Sequence, residues 1–252
     1  MRIDLNCDMG ESFGVYTLGH DEAAMPYVTS VNVACGFHAS DPVNIVKTIR
    51  KAKKYNLAIG AHPSFPDLVG FGRRVMAASP DEIFADAAYQ IGALMGICKT
   101  EGLTLQHVKP HGALYNMAEK DSNVAAAIAK AIKSVDPNLY MVCSCGSKMV
   151  EGAKAVGVKY VEEAFADRAY TKEGTLVPRR QEGAVIHDPK AVAGRVLTII
   201  KTGKVNAIDG TEVALKPQTI CVHGDTPGAV DMIKEIRTRL VQEGIELSPF
   251  GI

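Results

Sequence analysis

Tryptophan is absent from this chain of 252 residues, and Phe and Tyr together make up only 6% of it. That leaves no obvious aromatic platform for stacking sugar rings, which argues against a carbohydrate-binding or transport module. An excess charge of either sign is missing too, since 28 Lys and Arg face 28 Asp and Glu. Without a basic surplus to displace counterions, neither a nucleic-acid binder nor an anionic-membrane binder is expected. No apolar run approaches the roughly 20 residues that cross a bilayer. Met1 and Arg2 lead into Asp4 with no apolar signal core between them, so the expected compartment is the cytoplasm. The six cysteines (Cys7, Cys35, Cys98, Cys143, Cys145 and Cys221) contain no CxxC pair, and buried thiols in a reducing compartment are expected. Also missing are GxxxxGK[ST] and HExxH. The nearest dinucleotide-like piece, Gly70-Phe71-Gly72-Arg73-Arg74-Val75, lacks its third glycine.

What is present is a β/α alternation from end to end. Strands are expected at 2–8, 30–37, 58–62, 104–110, 139–144, 159–165 and 218–223, with helices near 43–55, 81–100, 123–134, 147–155, 191–201 and 229–243. Ser79-Pro80-Asp81-Glu82 joins a capping box to a first-turn proline. Asp41-Pro42, Asp188-Pro189 and Thr226-Pro227 repeat the cap-then-proline signal, and Gly102, Gly157, Gly203 and Gly244 mark helix ends. No linker or repeat interrupts the pattern, so residues 1–252 are expected to form one α/β domain. Asp209-Gly210 signals a hairpin. The longest irregular stretch, 167–187, has the length of a functional loop.

The phase of the polar residues decides between an open sheet and a barrel. In the first strand Ile3, Leu5 and Cys7 share one face, while Asp4, Asn6 and Asp8 share the other. Asn32 and His38 fall in phase in the second segment, and His107, Lys109 and His111 in the fourth. A sheet covered by helices on both faces would read as continuous apolar runs. These strands have one apolar face and one that turns polar toward the C-terminal end, as in a barrel with a polar mouth. Asp8, His38, His62, Lys109 and His111 would then meet in one pocket.

Asp8, His38 and His62 could form a divalent-metal site, because imidazole and carboxylate suit Zn, Mn or Fe. The carboxylates of Asp8-Met9-Gly10-Glu11 could equally tie down loop amides. Lys109 could polarise a carbonyl or hold a phosphate, contributing charge rather than packing, or could simply pair with Asp8. His111 could shuttle a proton. Glu163, Asp167 and Arg168 lead into the long loop with Arg179 and Arg180, whose guanidinium forks suit a carboxylate or phosphate. His223 and Asp225 end the last strand at a helix N-terminus, a place that favours an anion.

The segments DLNCDMGESFG (4–14), NVACGFHASDP (32–42), GAHPSFPDLVGFGRR (60–74), HVKPHGALYN (107–116), EAFADRAY (163–170), LVPR (176–179) and CVHGDTPGA (221–229) resemble the LamB/YcsF family over essentially the whole chain. The resemblance implies an irregular, seven-stranded β/α barrel similar to the glycoside hydrolase/deacetylase fold. It further implies the A subunit of an ATP-dependent 5-oxoprolinase, which opens 5-oxo-L-proline to L-glutamate with ATP, Mg²⁺ and two partner subunits, B and C. On that reading Lys109 serves a phosphate or carbonyl oxygen, His111 or His62 moves protons, and Asp8 orients water or a metal. Arg73 or Arg168 would hold the substrate carboxylate, and Asn6, Glu163, Asp167, Arg179, His223 and Asp225 would complete the substrate site. A metal-dependent deacetylase or amidohydrolase using the same barrel mouth is the alternative.

Overall fold

Seven parallel strands close on themselves in the computed structural model, which describes residues 1–222 and 228–251. Around the barrel run β1 (Arg2–Met9), β2 (Ser30–Ala34), β3 (Ala58–His62), β4 (Leu105–Val108), β5 (Tyr140–Ser144), β6 (Lys159–Phe165) and β9 (Thr219–Cys221), and β9 pairs back with β1. A short antiparallel hairpin of β7 (Lys204–Asn206) and β8 (Glu212–Ala214) precedes β9. β10 (Glu246–Leu247) adds to the start of β1. The strands alternate with helices α1 (Asp21–Ala24), α2 (Pro42–Lys54), α3 (Pro80–Thr100), α4 (Gly112–Ala118), α5 (Ser122–Val135), α6 (Lys148–Val156), α7 (Pro189–Thr202) and α8 (Ala229–Gln242). None of the helices among the described residues is long and apolar enough to cross a membrane.

The apolar core lies between barrel and helices. Ile3, Leu5, Cys7 and Met9 of β1 join Val31, Val33, Ile59, Val108 and Met141 there, against apolar residues such as Ile49, Ile91, Ile128 and Ile233 of the helices. The inward face is polar and paired in layers. Asp4 accepts hydrogen bonds from Thr29, Ser30 and Thr219. One layer higher, Asn6 donates to Glu163 (2.9 Å) and Thr219 (2.6 Å). Asn32 donates to Asn6 and Asp8 and takes a bond from His107 Nε2, each at 2.8 Å. Burial drives His107 far down to about 3, so its ring is neutral. Phe250 packs on His107, Tyr140, Val142 and Val161 across the N-terminal end.

The helix signals carry through. Ser79 and Glu82 form the reciprocal capping box, and Asp41 and Asp188 cap α2 and α7 with proline at the first position. Gly157 and Gly203 end their helices in the left-handed region. The expected hairpin at Asp209-Gly210 is β7–β8. Two strands stop well before their expected ends, β2 at Ala34 and not 37 and β4 at Val108 and not 110, while the expected end of β9 at His223 lies outside the described residues. After β2 and β4 the chain turns at once to present site residues. α1, α4 and β10 are additions; two are too short for a periodic signal, and α4 begins at a glycine inside the 107–116 motif.

The polar interior can be tested at two positions. Gly60 stands opposite His107 in register, and a Cβ at Gly60 would overlap the imidazole ring. Gly60→Ala should therefore cost about 2–3 kcal/mol as overpacking, a fall of roughly 5–10 °C in Tm; an unchanged Tm would contradict the packing. Asp4, almost fully buried, has its pKa raised to about 6, with burial outweighing its three hydroxyl donors. Its contribution to stability is thus fully present below about pH 3.8 and is lost as the pH rises through about 6, a swing of about 3 kcal/mol. Asp4→Asn removes that loss, so the variant's Tm relative to wild type should climb between about pH 4 and 6.5. Parallel Tm–pH curves would overturn the assignment.

Candidate active site

A cavity of about 700 Å³ opens at the C-terminal ends of the strands, where β/α barrels place their chemistry. Its floor is an ion-paired cluster. Lys109 follows β4 directly, and its ammonium lies 3.1 Å from Asp8 Oδ1 and 3.0 Å from Glu163 Oε1. It also donates to Asn6 Oδ1 at 3.3 Å and to Cys221 Sγ at 3.0 Å. Burial opposes the charge, but the Asp8 and Glu163 carboxylates, with the hydrogen bond to Cys221, outweigh it and hold the Lys109 pKa well above its usual value. Burial pushes the Cys221 thiol up, so it serves as a neutral acceptor. Glu163, at the end of β6, also accepts from the Tyr115 hydroxyl at 3.1 Å. Asp8, held by Lys109 and Asn32, presents Oδ2 to His62 Nε2 at 3.4 Å.

Beside this floor three imidazoles gather. His62 ends β3, and its Nδ1–H donates to the Lys109 carbonyl at 2.6 Å. His111 caps the start of α4, and its Nε2–H donates to the Phe71 carbonyl at 2.9 Å. His38 stacks on His111 with centroids 3.9 Å apart and planes 9° from parallel. Glu11 lies 4.0 Å from both His38 Nε2 and His111 Nδ1. The four residues can hold a metal ion, their ligand atoms all lying within 4.8 Å of one another. Burial first, then the neighbouring imidazoles, hold His38 and His111 well below the usual histidine pKa.

The 63–74 loop builds the wall on this side. Asp67 binds the Gly70 and Arg74 amides and the Arg74 guanidinium, whose bond lowers the Asp67 carboxyl to about 2. The loop's tip needs left-handed backbone at Phe71 and Gly72 (φ 55° and 63°). A Cβ at Gly72 would strike Ser64, and Ala113 N donates to the Gly72 carbonyl at 2.8 Å, docking the loop on α4.

Asp8, His62, Lys109, His111, Arg73, Arg168 and Arg179 all line the cavity. His38 does not; it is buried behind His111. Asn6 and Glu163 lie beneath the floor, buried and bonded to Lys109, so their contact is with the lysine. Arg168 spends its guanidinium on the carbonyls of Val177 (2.6 Å) and Ala184 (3.4 Å), where it staples the 167–187 loop. Asp167 is buried outside the lining, and its carbonyl receives the Ile186 amide. His223 and Asp225 lie outside the described residues. The expected metal trio changes: Glu11 and His111 join His38 and His62, while Asp8 sits one step aside on Lys109. Arg180, expected beside Arg179, lines the cavity too, and Glu11, Tyr115, Glu119 and Lys120 are lining residues that were not among the expected site residues. The signal for Glu11 was Gly10 (φ 75°), which turns the chain so that the carboxylate comes back over the mouth.

Comparison with known proteins agrees with this architecture. The LamB/YcsF family profile matches residues 3–251. A relative from Acinetobacter baumannii, named as the A subunit of 5-oxoprolinase, is 54% identical over 250 residues, covering 99% of this chain and 98% of the relative. The crystal structure of a lactam utilization protein from Thermus thermophilus superposes with a TM-score of 0.95 at 49% identity, covering 99% of this chain and all of that one. A family 4 carbohydrate esterase from Streptomyces lividans, crystallised with acetate, shares the fold alone, at a TM-score of 0.51 and 10% identity over 99% of this chain and 93% of its own. A match that runs from the first strand to the last residues, with half the positions identical, leaves one assignment: the chain belongs to the LamB/YcsF family.

Proposed function

We propose that this chain is the A subunit of an ATP-dependent 5-oxoprolinase and contributes the site where the lactam of 5-oxo-L-proline is opened to L-glutamate. The observation that carries the reading is full-length kinship, at 54% identity, with a protein of that name. ATP with Mg²⁺ is the co-substrate, partner subunits B and C complete the enzyme, and the complex works in the cytoplasm. A lactam is a resonance-stabilised amide, and transfer of a phosphoryl group to its oxygen makes the ring carbon a better electrophile. The opening step then needs a base for water, a proton for the departing nitrogen and cations for the phosphate and carboxylate.

The cavity offers each of these. Asp8 is fixed on one side by Lys109 and Asn32 and faces His62 on the other, which suits it to orient and deprotonate water. His62 has its tautomer set by the Lys109 carbonyl, leaving Nε2 as the proton acceptor on the cavity side. His111 lies next to it for the transfer to nitrogen. Arg73, Arg179, Arg180 and Lys120 line the walls and provide positive charge for the two anionic groups. Lys109, with its donors on Asp8, Glu163, Asn6 and Cys221, acts by holding Asp8 in its ionised, oriented state.

That burial changes what removing the lysine should do. A lysine contributing only charge could become Met with the fold intact, but here Lys109→Met strands the buried Glu163 and the partly buried Asp8 carboxylates. It should destabilise the protein by about 3–5 kcal/mol while abolishing turnover. Lys109→Met with Glu163→Gln removes one carboxylate and should regain much of the lost Tm while staying inactive. A folded double variant turning over at the wild-type rate would remove Lys109 from the reaction. The need for partners is tested separately. The purified chain with ATP, Mg²⁺ and 5-oxoproline should release no glutamate above background, and release should appear on mixing with subunits B and C. Release by the chain alone at the rate of the mixture would make it a complete enzyme. ATP-independent release of acetate from N-acetylated substrates would favour the deacetylase alternative.

A further inference from the structure

From the geometry of Glu11, His38, His62 and His111 we infer a built site for one divalent first-row transition metal of the Zn²⁺, Mn²⁺ or Co²⁺ class at the edge of the cavity floor. The site follows from where the imidazole protons must be, and it would take up the same His62 Nε2 lone pair that serves as proton acceptor in the metal-free chain. His62 Nδ1 is 2.6 Å from the Lys109 carbonyl, so it carries the hydrogen and leaves Nε2 with a lone pair. His111 Nε2 is 2.9 Å from the Phe71 carbonyl, so its Nδ1 also carries a lone pair. Those two nitrogens face each other at 3.0 Å. Two lone pairs at that distance repel unless a cation lies between or beside them. Backbone carbonyls on the far nitrogens are the outer contacts that fix the tautomer of metal-bound histidines.

His38 adds an independent observation. The residue is 1% exposed, and neither ring nitrogen has a hydrogen-bond partner among the described residues. An imidazole buried this way has lost its hydration with no hydrogen bond in return, which is costly in a protein interior. Its Nε2 is 4.0 Å from Glu11 Oε1, as is His111 Nδ1. The separations around the group, from 3.0 Å to no more than 4.8 Å, bracket the roughly 3.3 Å between neighbouring ligand atoms that bonds of about 2.0–2.2 Å produce around a tetrahedral ion. Three imidazoles and one carboxylate select a borderline transition metal and discriminate against Mg²⁺ and Ca²⁺, which prefer oxygen. The alternative cation is a proton shared by His62 and His111 across their 3.0 Å separation.

Metal binding by the full chain, with any affinity tag removed and without substrate or partners, tests this directly. After chelator treatment and dialysis, titration with ZnCl₂, MnCl₂ or CoCl₂ should fill one equivalent, while MgCl₂ should not compete at a hundredfold excess. The Co²⁺ form should show ligand-field bands of a nitrogen-ligated centre. His38→Ala and Glu11→Gln should each weaken binding by at least tenfold and change those bands. Glu11→Gln keeps the size of a side chain at the cavity mouth, so it serves if His38→Ala unfolds. No stoichiometric uptake of any of the three ions by folded wild-type chain would overturn the inference. So would uptake unaffected by Glu11→Gln, or an NMR signature of a shared imidazole proton that persists when the metals are added. Because no lactam or ATP enters the assay, its failure leaves the 5-oxoprolinase reading standing, and loss of that reading leaves the metal result intact.

Discussion

An ammonium ion buried at the mouth of a barrel has to be neutralised within a few ångströms, and much of the site is arranged around that requirement. Lys109 is 2% exposed, and its two carboxylate partners come from strands far apart in the sequence, Asp8 from β1 and Glu163 from β6. Asn6 links them, bonding Glu163 through its amide nitrogen and receiving Lys109 on its oxygen. Removing water from such a cluster costs several kcal/mol per ion, offset only when every remaining donor and acceptor is matched. The layers beneath supply that matching through Asn32, His107, Thr219 and the hydroxyls on Asp4. The polar barrel interior is thus the supporting shell of one buried charge.

This arrangement separates two tasks that many α/β proteins combine. Most apolar packing lies between strands and helices, where Ile, Val, Leu and Met meet in one large cluster, with a smaller one under Phe250 at the N-terminal end. Positioning is left to hydrogen bonds inside. The 63–74 loop extends the same economy outside the barrel: Gln90 of α3 satisfies both the amide and the carbonyl of Ser64, and Asp67 ties the loop's end to Arg74. Phe71, held in left-handed backbone, is thereby able to aim its carbonyl at His111.

Much of the barrel was legible because period two is a local property. Asp4, Asn6 and Asp8 alternate with Ile3, Leu5 and Cys7 in eight residues, and that phase alone separates a polar lumen from an apolar exterior. Caps were legible for the same reason: Ser79 and Glu82 act within one turn. What could not be read is whatever depends on distance across the fold. Nothing local marks Glu163 as the counter-charge of a lysine 54 positions earlier, or Glu11 as the neighbour of three histidines spread over 74 residues. Arg168 reads as a substrate anchor because a guanidinium near a long loop has that chemistry, and only the folded loop shows that the carbonyls of Val177 and Ala184 also take part of it. α4 was hidden inside a motif whose reactive residue types drew attention away from its helical spacing.

The closing seam of the barrel bears on how the chain reaches this structure. Asp4 and Asn6 take Thr219 as a partner, 215 and 213 positions away, and β9 completes the ring only by inserting between β6 and β1. Until that insertion, two buried polar side chains of the first strand lack a partner that their layer requires. A half-assembled barrel is therefore penalised rather than merely incomplete, because an unsatisfied polar group in a dry interior is worse than the same group in water. Long-range closure of this kind is slow, since loop entropy is lost before the contacts that reward it are made. The polar lumen thereby makes closure of the ring cooperative: it withholds part of the stability of the first strand until it has met the last strand of the ring.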